Sequence, residues 1–291
     1  MVRELSASVG QHGPRSVGGH TTNMGHAKVK IDWTSVKKQT LWGYEDLIGK
    51  LQDVLAYGFV QEHYNHTMAQ ALDYAASIRR GYLQDRGEMT AHVDSIASHL
   101  RELDARRIGT YSDLVRSVTT RTECVAFLQQ TDFAFDHLIQ TLNYLLRWVL
   151  PFKTPIREFI DVDKHADLEL LESLKKQGIK ASLDLLEVGR TEAGRAQLAS
   201  TARIPAAGLL ALVHRVDISR LAYVRGKTVT HLCGGGYDTL EKIANADPAE
   251  MEEKMGAYYR TLGKTVADFK AVIPLAWMIG GAKTLPRVIA V

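Results

Sequence analysis

The sequence predicts an all-α protein, with a helical bundle in its first half and a repeated unit of short helices in its second half. Apolar residues recur at steps of three and four along most of the first half, which is the spacing of one face of an α-helix. Glycine, proline and capping residues divide the second half into shorter apolar segments. No stretch alternates between apolar and polar residues over the length of a strand, so the sequence gives no support to a β-sheet.

The composition is that of a globular protein large enough for more than one compact unit. The chain has 291 residues, of which 45% are hydrophobic and 24% are charged. Its formal net charge of +3 falls well short of the strongly basic character that makes nucleic acid the default partner. Cys124 and Cys233 lie far apart and outside any metal-ligand spacing, which fits a reduced, cytoplasmic location.

Two apolar segments bear on membrane association, and both are shorter than a spanning helix. They are residues 142–152, LNYLLRWVLPF, and residues 271–281, AVIPLAWMIGG, and each contains a proline. The N-terminal residues also lack the apolar core of a signal peptide. We therefore expect a cytoplasmic protein without a transmembrane segment. Peripheral contact of one of these segments with a membrane surface is the alternative.

Composition and periodicity divide the chain into four segments. Residues 1–30 are rich in Gly, Ser, Thr and His and poor in apolar side chains, so we expect a flexible arm. Residues 31–154 are predicted to form an up-and-down helical bundle. Residues 155–263 contain the repeated unit, and residues 264–291 are predicted to be a helical or irregular tail.

Apolar spacing predicts long helices in the bundle, and capping signals place shorter ones after it. The spacing runs from Tyr44 to Ile78, where Gly58 costs only about 1 kcal/mol relative to alanine and need not break the helix. A second long helix is predicted over residues 120–151. Thr154 followed by Pro155 indicates a helix N-cap, and residues 247–250, DPAE, indicate a capping box with proline at the first helical position.

The second half contains two segments with the same spacing, about 58 residues apart. They are residues 165–186, HADLELLESLKKQGIKASLDLL, and residues 223–244, YVRGKTVTHLCGGGYDTLEKIA. Each has a helical segment, then a glycine, Gly178 or Gly236, and then the start of another helix. The shared spacing indicates an internal duplication of a helix-hairpin-helix unit.

The segment that contains this duplication also resembles a known family. GRTEAGRAQLA at residues 189–199, LVHRVDISRL at residues 212–221 and GYDTLEKIANADPAEM at residues 236–251 are similar to tandem helix-hairpin-helix proteins catalogued as a domain of unknown function. The resemblance covers roughly residues 155–263. It implies two helix-hairpin-helix units joined by a helical pair, and it implies no particular activity.

The turns that would hold a phosphate are degenerate in both units. A hairpin that grips a nucleic-acid backbone needs a Gly-x-Gly turn, because its N–H groups must approach the phosphate without a β-carbon in the way. Counting back from the later glycines places these turns on residues 165–167, HAD, and residues 223–225, YVR, so both glycine pairs are missing. The remaining candidates for nucleic-acid contact are the following four residues: Arg220, Arg225, Gly226 and Lys227.

Metal-type ligands cluster in two places in the predicted bundle. Glu62 and His66 are four residues apart, and Asp136 and His137 lie on the later long helix. Carboxylates and histidines that project into a helical bundle build di-iron sites, but the usual Glu-x-x-His pair is absent. We therefore favour ordinary polar positions over a metal site. No cofactor is predicted, with a metal in the bundle as the alternative.

These observations leave three functional hypotheses. The favoured one is a non-enzymatic adaptor or scaffold that binds a protein partner or a second copy of itself through helical surfaces. It is favoured because the turn glycines are missing, the net charge is small, and no P-loop, dinucleotide-binding or His-Glu-x-x-His motif is present. The alternatives are a nucleic-acid-associated helix-hairpin-helix protein and a bundle that binds a metal or cofactor.

Overall fold

The computed structural model describes residues 31–82, 87–265 and 274–290, and the regular structure in these ranges is helical. The prediction of an all-α fold is therefore confirmed. The predicted flexible arm, residues 1–30, lies outside the described residues. Residues 31–291 cluster into one compact unit.

The described residues of the first half form eight helices and a π-helical turn. α4 and α5 pack side by side, α5 packs on α8, and α1 covers the other side of α8. The helices are α1 (Thr34–Thr40), α2 (Tyr44–Leu55), α3 (Gly58–Tyr64), α4 (Met68–Tyr82), α5 (Gly87–Ala105), α6 (Tyr111–Ser117), α7 (Arg121–Thr131) and α8 (Phe135–Tyr144), followed by the π-helical turn Leu145–Val149.

The long helices predicted for this half are wrong, because the chain turns within both of them. The stretch from Tyr44 to Ile78 forms α2, α3 and part of α4. The break before Gly58 is stabilised from the second half of the chain, where the Glu187 carboxylate accepts hydrogen bonds from the N–H groups of Gly58 and Phe59 at 3.1 Å each. The helix predicted over residues 120–151 is interrupted at Asp132, whose φ of 52° ends α7.

The second half begins with a 3₁₀ helix and continues through shorter α-helices. α10 and α11 pack on α12, and α13 packs on both the 3₁₀ helix and α12. The elements are the 3₁₀ helix Ile156–Phe159, α9 (His165–Lys176), α10 (Ser182–Gly189), α11 (Glu192–Ala202), α12 (Ala206–Ile218), α13 (Gly226–Gly234), α14 (Leu240–Ala244), α15 (Pro248–Thr261) and α16 (Leu275–Thr284).

The cap predicted at Asp247 is confirmed, although the Glu250 carboxylate pairs with Lys254 instead of completing a capping box, and the cap predicted at Thr154 is wrong. The Asp247 carboxylate accepts hydrogen bonds from the N–H groups of Ala249 and Glu250, at 2.9 and 3.0 Å, and Pro248 is the first residue of α15. Thr154 caps no helix. It exchanges hydrogen bonds with Ser182 instead, accepting from the Ser182 N–H at 2.7 Å and donating its own N–H to the Ser182 hydroxyl at 2.9 Å.

The hydrophobic core extends across both halves of the chain. α16 packs against α4 from the first half and against α14 and α15 from the second half. The boundaries proposed at residues 154 and 263 remain sequence-based predictions, but helices from both sides of residue 154 contact one another. Within the described ranges, no helix is long and apolar enough to cross a membrane.

Candidate binding surfaces of the two hairpins

The two predicted glycine turns have the same backbone geometry. Gly178 and Gly236 both have a positive φ, 79° and 91°, which glycine adopts without strain. The preceding helices end at Lys176 and Gly234, and the following helices begin 58 residues apart as well. We call α9, Gly178 and α10 the first hairpin, and α13, Gly236 and α14 the second hairpin.

Both glycine turns also close their helices in the same way. The N–H of Ile179 donates to the carbonyl of Leu174 at 3.0 Å, and the N–H of Tyr237 donates to the carbonyl of Leu232 at 2.9 Å. This six-to-one bond is the mark of a Schellman cap, which requires the left-handed residue just before the donor. The glycines therefore terminate helices in both hairpins.

The residues that lead into the two hairpins differ. In the first hairpin α9 begins at His165, so residues 165–167 form the first turn of a helix. The prediction that these residues form a hairpin turn is therefore wrong. In the second hairpin α13 begins only at Gly226, and Tyr223 before it has a φ of 63°. A tyrosine holds the left-handed conformation at a position where a Gly-x-Gly turn would place its first glycine.

The segment that leads into the second hairpin is packed against the chain itself. The Tyr223 ring meets Trp148 edge to face, with 5.3 Å between ring centroids. The Arg225 guanidinium lies 4.0 Å from the centroid of the Phe152 ring. A β-carbon on Gly226 would lie 2.1 Å from the carbonyl oxygen of Glu158 in the 3₁₀ helix. Residues 148–158 therefore pack against most of this segment, and Tyr223 remains 41% exposed.

Arg220 is part of a buried polar network, so its prediction as a nucleic-acid contact is wrong. Only 5% of the residue is exposed. Its guanidinium donates to the Asp217 carboxylate at 2.7 Å, to the carbonyl of Pro286 at 3.1 Å and to the hydroxyl of Tyr64. Burial lowers the pKa of Arg220, but the Asp217 carboxylate and the Tyr64 hydroxyl outweigh burial and hold the pKa above its ordinary value.

The other three nucleic-acid candidates have different surroundings. Arg225 is half-buried on Phe152, and burial lowers the pKa of its guanidinium. Gly226 is buried against Glu158, where close packing explains the need for glycine. Lys227 is exposed. Of the four predicted residues, only Lys227 has a side chain that faces solvent.

α10 of the first hairpin holds the start of α3 through three side chains that the sequence reasoning missed. The Asp184 carboxylate accepts from the hydroxyl of Tyr57 at 2.5 Å, Glu187 caps α3, and Arg190 pairs with Glu62 at 2.9 Å. Burial and the bond to Asp184 raise the pKa of Tyr57 to about 12. The three residues are spaced three apart on one helix face, a signal that becomes meaningful only when their distant partners are known.

A groove lies beside α9, between that helix and the chain leading into α12. Its volume is about 530 Å³. Three carboxylates, two basic side chains and several apolar ones line it: Asp167, Glu169, Glu172, Lys176, Arg203, Ala166, Leu170, Ile204 and Pro205. We call it the α9 groove. It lies at the first hairpin, beside residues 165–167, where the sequence analysis placed a turn that lacks its two glycines.

The predicted metal ligands are not brought together. Glu62 pairs with Arg190, and His66 lies in the loop after α3 against the rings of Tyr74 and Tyr111. Asp136 accepts a hydrogen bond from Gln39 at 3.0 Å, and the His137 ring stacks on His99 at 4.1 Å. α3 ends at Tyr64, which removes the helical spacing assumed for Glu62 and His66. Among the described residues, no group of three His, Cys, Asp or Glu side chains is arranged to hold a metal ion.

Comparison with known proteins finds a family match within the second half of the chain. Residues 168–284 match the family model described as "Domain of unknown function (DUF4332)". The predicted resemblance to a domain of unknown function is therefore confirmed, and the match extends beyond the predicted limit at residue 263 into α16. No curated protein and no solved structure matches the chain.

Proposed function

We propose that this protein is a non-enzymatic, cytoplasmic adaptor that binds a protein partner or a second copy of itself through the α9 groove. One observation carries the proposal. The first hairpin presents carboxylates and apolar side chains at the place where a nucleic-acid-binding hairpin presents glycine amides.

The charge around the α9 groove disfavours phosphate and favours a partner with basic and apolar side chains. Residues 161–172 contain five carboxylates against one lysine, Lys164. Close to the groove, Val162 and Leu168 are 52% and 40% exposed. The groove itself is lined by three carboxylates and two basic side chains, so acidic charge predominates around its apolar residues. Apolar side chains with a charged surround are typical of surfaces that bind a complementary protein.

The packing of the second hairpin also supports binding through the first hairpin. Its leading segment is covered by Trp148, Phe152 and Glu158, so this hairpin serves the internal packing of the chain. Val224 and Gly226 of this segment are buried, whereas the residues 58 positions earlier, Ala166 and Leu168, are exposed, so the first hairpin has the more accessible leading segment. Both cysteines are free thiols, which is consistent with the cytoplasmic location included in the proposal.

Site-specific photo-cross-linking tests the proposal directly. A benzophenone amino acid at Ala166, which is exposed and lines the α9 groove, should give a discrete cross-linked protein in cells that make this chain. The same group at Leu262, which is 44% exposed at the end of α15, is the matched control. Cross-linking at Leu262 equal to that at Ala166 would contradict the proposal.

Light scattering after size exclusion distinguishes a second copy from another partner. A dimer at micromolar concentration that Ala166→Arg dissociates would identify self-association through the groove. A strict monomer that also gives no adduct at Ala166 would refute the adaptor function. A mobility shift with nucleic acid that weakens steeply with salt and depends on Lys227 would favour the nucleic-acid alternative instead.

A further inference from the structure

The turn between α1 and α2 displays an aliphatic side chain in an unusual conformation. Leu41 follows α1 with a φ of 74°, in the left-handed region that apolar residues rarely adopt. Its side chain is 70% exposed, the largest fraction among the exposed large hydrophobic residues of the described chain. Thr40 before it is fully buried, so Leu41 is exposed directly beside a residue that is packed in the interior.

Trp42 and the residues around it make this turn rigid. The Arg147 guanidinium lies 5.3 Å from the centroid of the Trp42 ring and donates to the carbonyl of Thr40 at 3.3 Å. The Thr40 hydroxyl accepts a hydrogen bond from the Trp42 N–H at 3.1 Å. The Lys50 ammonium lies 5.7 Å from the same ring centroid. Cations therefore lie against the indole, and the exposed Leu41 is held in a defined position.

Basic residues lie beside the Leu41 turn, since Lys37 and Lys38 are in the last turn of α1 and the Lys50 ammonium lies over the Trp42 ring. Lys37, Lys38 and Lys50 are exposed, and none of them has a carboxylate within ion-pairing distance in the described part of the chain. Two nearby carboxylates are already neutralised: Glu45 pairs with Arg121 at 2.6 Å, and Asp53 pairs with Lys153 at 3.0 Å.

Three further carboxylates lie in the same region, and they leave the net charge positive. Asp32 accepts hydrogen bonds from Thr34, Asp46 lies in the first turn of α2, and Asp136 accepts a hydrogen bond from Gln39 of α1 at 3.0 Å. The three lysines and Arg147 outnumber them. We call Leu41, Trp42, Lys37, Lys38 and Lys50 the Leu41 patch.

We propose that the Leu41 patch binds the surface of an anionic lipid bilayer. Leu41 enters the boundary between headgroups and acyl chains, Trp42 lies at headgroup level, and the three lysines face the anionic lipids. A protruding aliphatic side chain beside an aromatic one, with a basic rim, is the chemistry that such an interface recognises.

The same observations disfavour other occupants. A nucleic acid would gain little from the aliphatic Leu41, and a base could stack on Trp42 only by displacing Lys50 or Arg147 from the ring. Residues 1–30 carry four basic residues and one acidic residue, so this arm has the same sign of charge as the patch. Charge complementarity points to a negatively charged surface outside the chain.

Vesicle co-sedimentation with the full chain tests the proposal. We expect binding to vesicles that contain phosphatidylglycerol, weaker binding to phosphatidylcholine alone, and loss of binding as salt is raised. Leu41→Asn should lower the partition coefficient about tenfold, because it removes the apolar side chain. Replacing Lys37 and Lys38 together with glutamine should lower it by at least about tenfold. Leu262→Asn, at another exposed leucine, should leave binding unchanged.

The variant at Leu41 also separates binding from folding. Asparagine accepts the left-handed conformation better than leucine, so Leu41→Asn should unfold at no lower denaturant concentration than the parent chain. Absence of binding, equal binding to both vesicle types, or unchanged binding by Leu41→Asn would each overturn the proposal. Binding of an oligonucleotide or an acidic protein that these substitutions abolish, without vesicle binding, would overturn it too.

Discussion

In the first hairpin the chain enters α9 directly at His165, whereas in the second it passes through a left-handed Tyr223 before α13 begins at Gly226. Beyond that point the two hairpins coincide, with matching helix ends and matching glycine turns. The two hairpins therefore share their backbone conformation where a glycine turn closes a helix. They differ in the residues that lead into the first helix of each hairpin.

Equivalent positions, 58 residues apart, show what that difference does. Arg220 is buried, while its counterpart Val162 is exposed. Gly226 is packed against the 3₁₀ helix, while its counterpart Leu168 is 40% exposed. Buried or partly buried residues therefore predominate in the leading segment of the second hairpin, where Tyr223 is the exposed exception, and exposed residues predominate in that of the first.

The largest expected effect is at Arg220. Arg220→Met leaves the Asp217 carboxylate buried without its charge partner, which should lower the free energy of unfolding by about 3–5 kcal/mol. Val162→Ala in the first hairpin should change it by less than about 0.5 kcal/mol. Denaturant titrations measure both. The double substitution Asp217→Ala, Arg220→Met should be less harmful than Arg220→Met alone, and a more harmful double variant would contradict the role given to this pair.

Gly226 should give the next largest effect. The β-carbon of Gly226→Ala meets the Glu158 carbonyl, so α13 must move from the 3₁₀ helix at an expected cost of about 3 kcal/mol. Leu168→Ala at the equivalent exposed position should cost less than about 1 kcal/mol. Gly208→Ala, in a helix with open space around it, should stabilise the chain by up to about 1 kcal/mol. Equal losses in the free energy of unfolding for Gly226→Ala and Leu168→Ala would show that the close packing of Gly226 on Glu158 is dispensable.

Tyr223 and His165 should respond to glycine with opposite signs. At Tyr223, glycine relieves the left-handed conformation while alanine retains it, so Tyr223→Gly should be more stable than Tyr223→Ala by about 1 kcal/mol. At His165, in the first turn of a helix, alanine should be better than glycine by about 0.5 kcal/mol. Thermal or chemical unfolding of the four variants, with glycine or alanine at each position, measures these differences in stability. The same order of stability at both positions would mean that the two leading segments have the same backbone.

The smallest expected effect is a change in pH dependence at His231. Burial lowers the pKa of His231, and the nearby Lys264 and Lys227 lower it further, so the folded chain holds this residue neutral. The unfolded chain takes up the proton as pH falls through about 6.5, and stability is therefore lost on acidification. His231→Ser, the residue found at position 173 in the first hairpin, should reduce that loss. Stability measured at several pH values checks it, with exposed His165→Ser as the control.

Local chemistry made the shared part of the hairpins predictable. Gly178, Gly236 and Asp247 act on backbone groups a few residues away, so their roles follow from sequence spacing alone. The breaks in the long helices did not follow, because Asp132 adopts a left-handed conformation within an apolar pattern that continues past it. In physical terms, helical periodicity reports which face is buried and says little about where the axis turns.

The candidate site was less predictable, because its contacts join distant parts of the chain. The sequence indicated an exposed cationic role for Arg220, but Tyr64 and Pro286, which surround it, are far away in sequence. The same applies to Tyr223, whose partner Trp148 belongs to the first half. The loss of the Gly-x-Gly turns was visible in the sequence. The contacts made by the residues that stand in place of those glycines became visible only in the folded chain.

The contacts of α10 with α3 and of α16 with α4 have a consequence for how this chain folds during its synthesis. The cap of α3 is supplied by Glu187, and the surface of α4 is covered by α16 near the end of the sequence. The first half therefore leaves the ribosome before the residues that complete it exist. Contacts between such distant segments slow folding, since long loops must close before the contacts stabilise them. We expect the two halves to unfold in one cooperative transition and a chain truncated before α16 to aggregate.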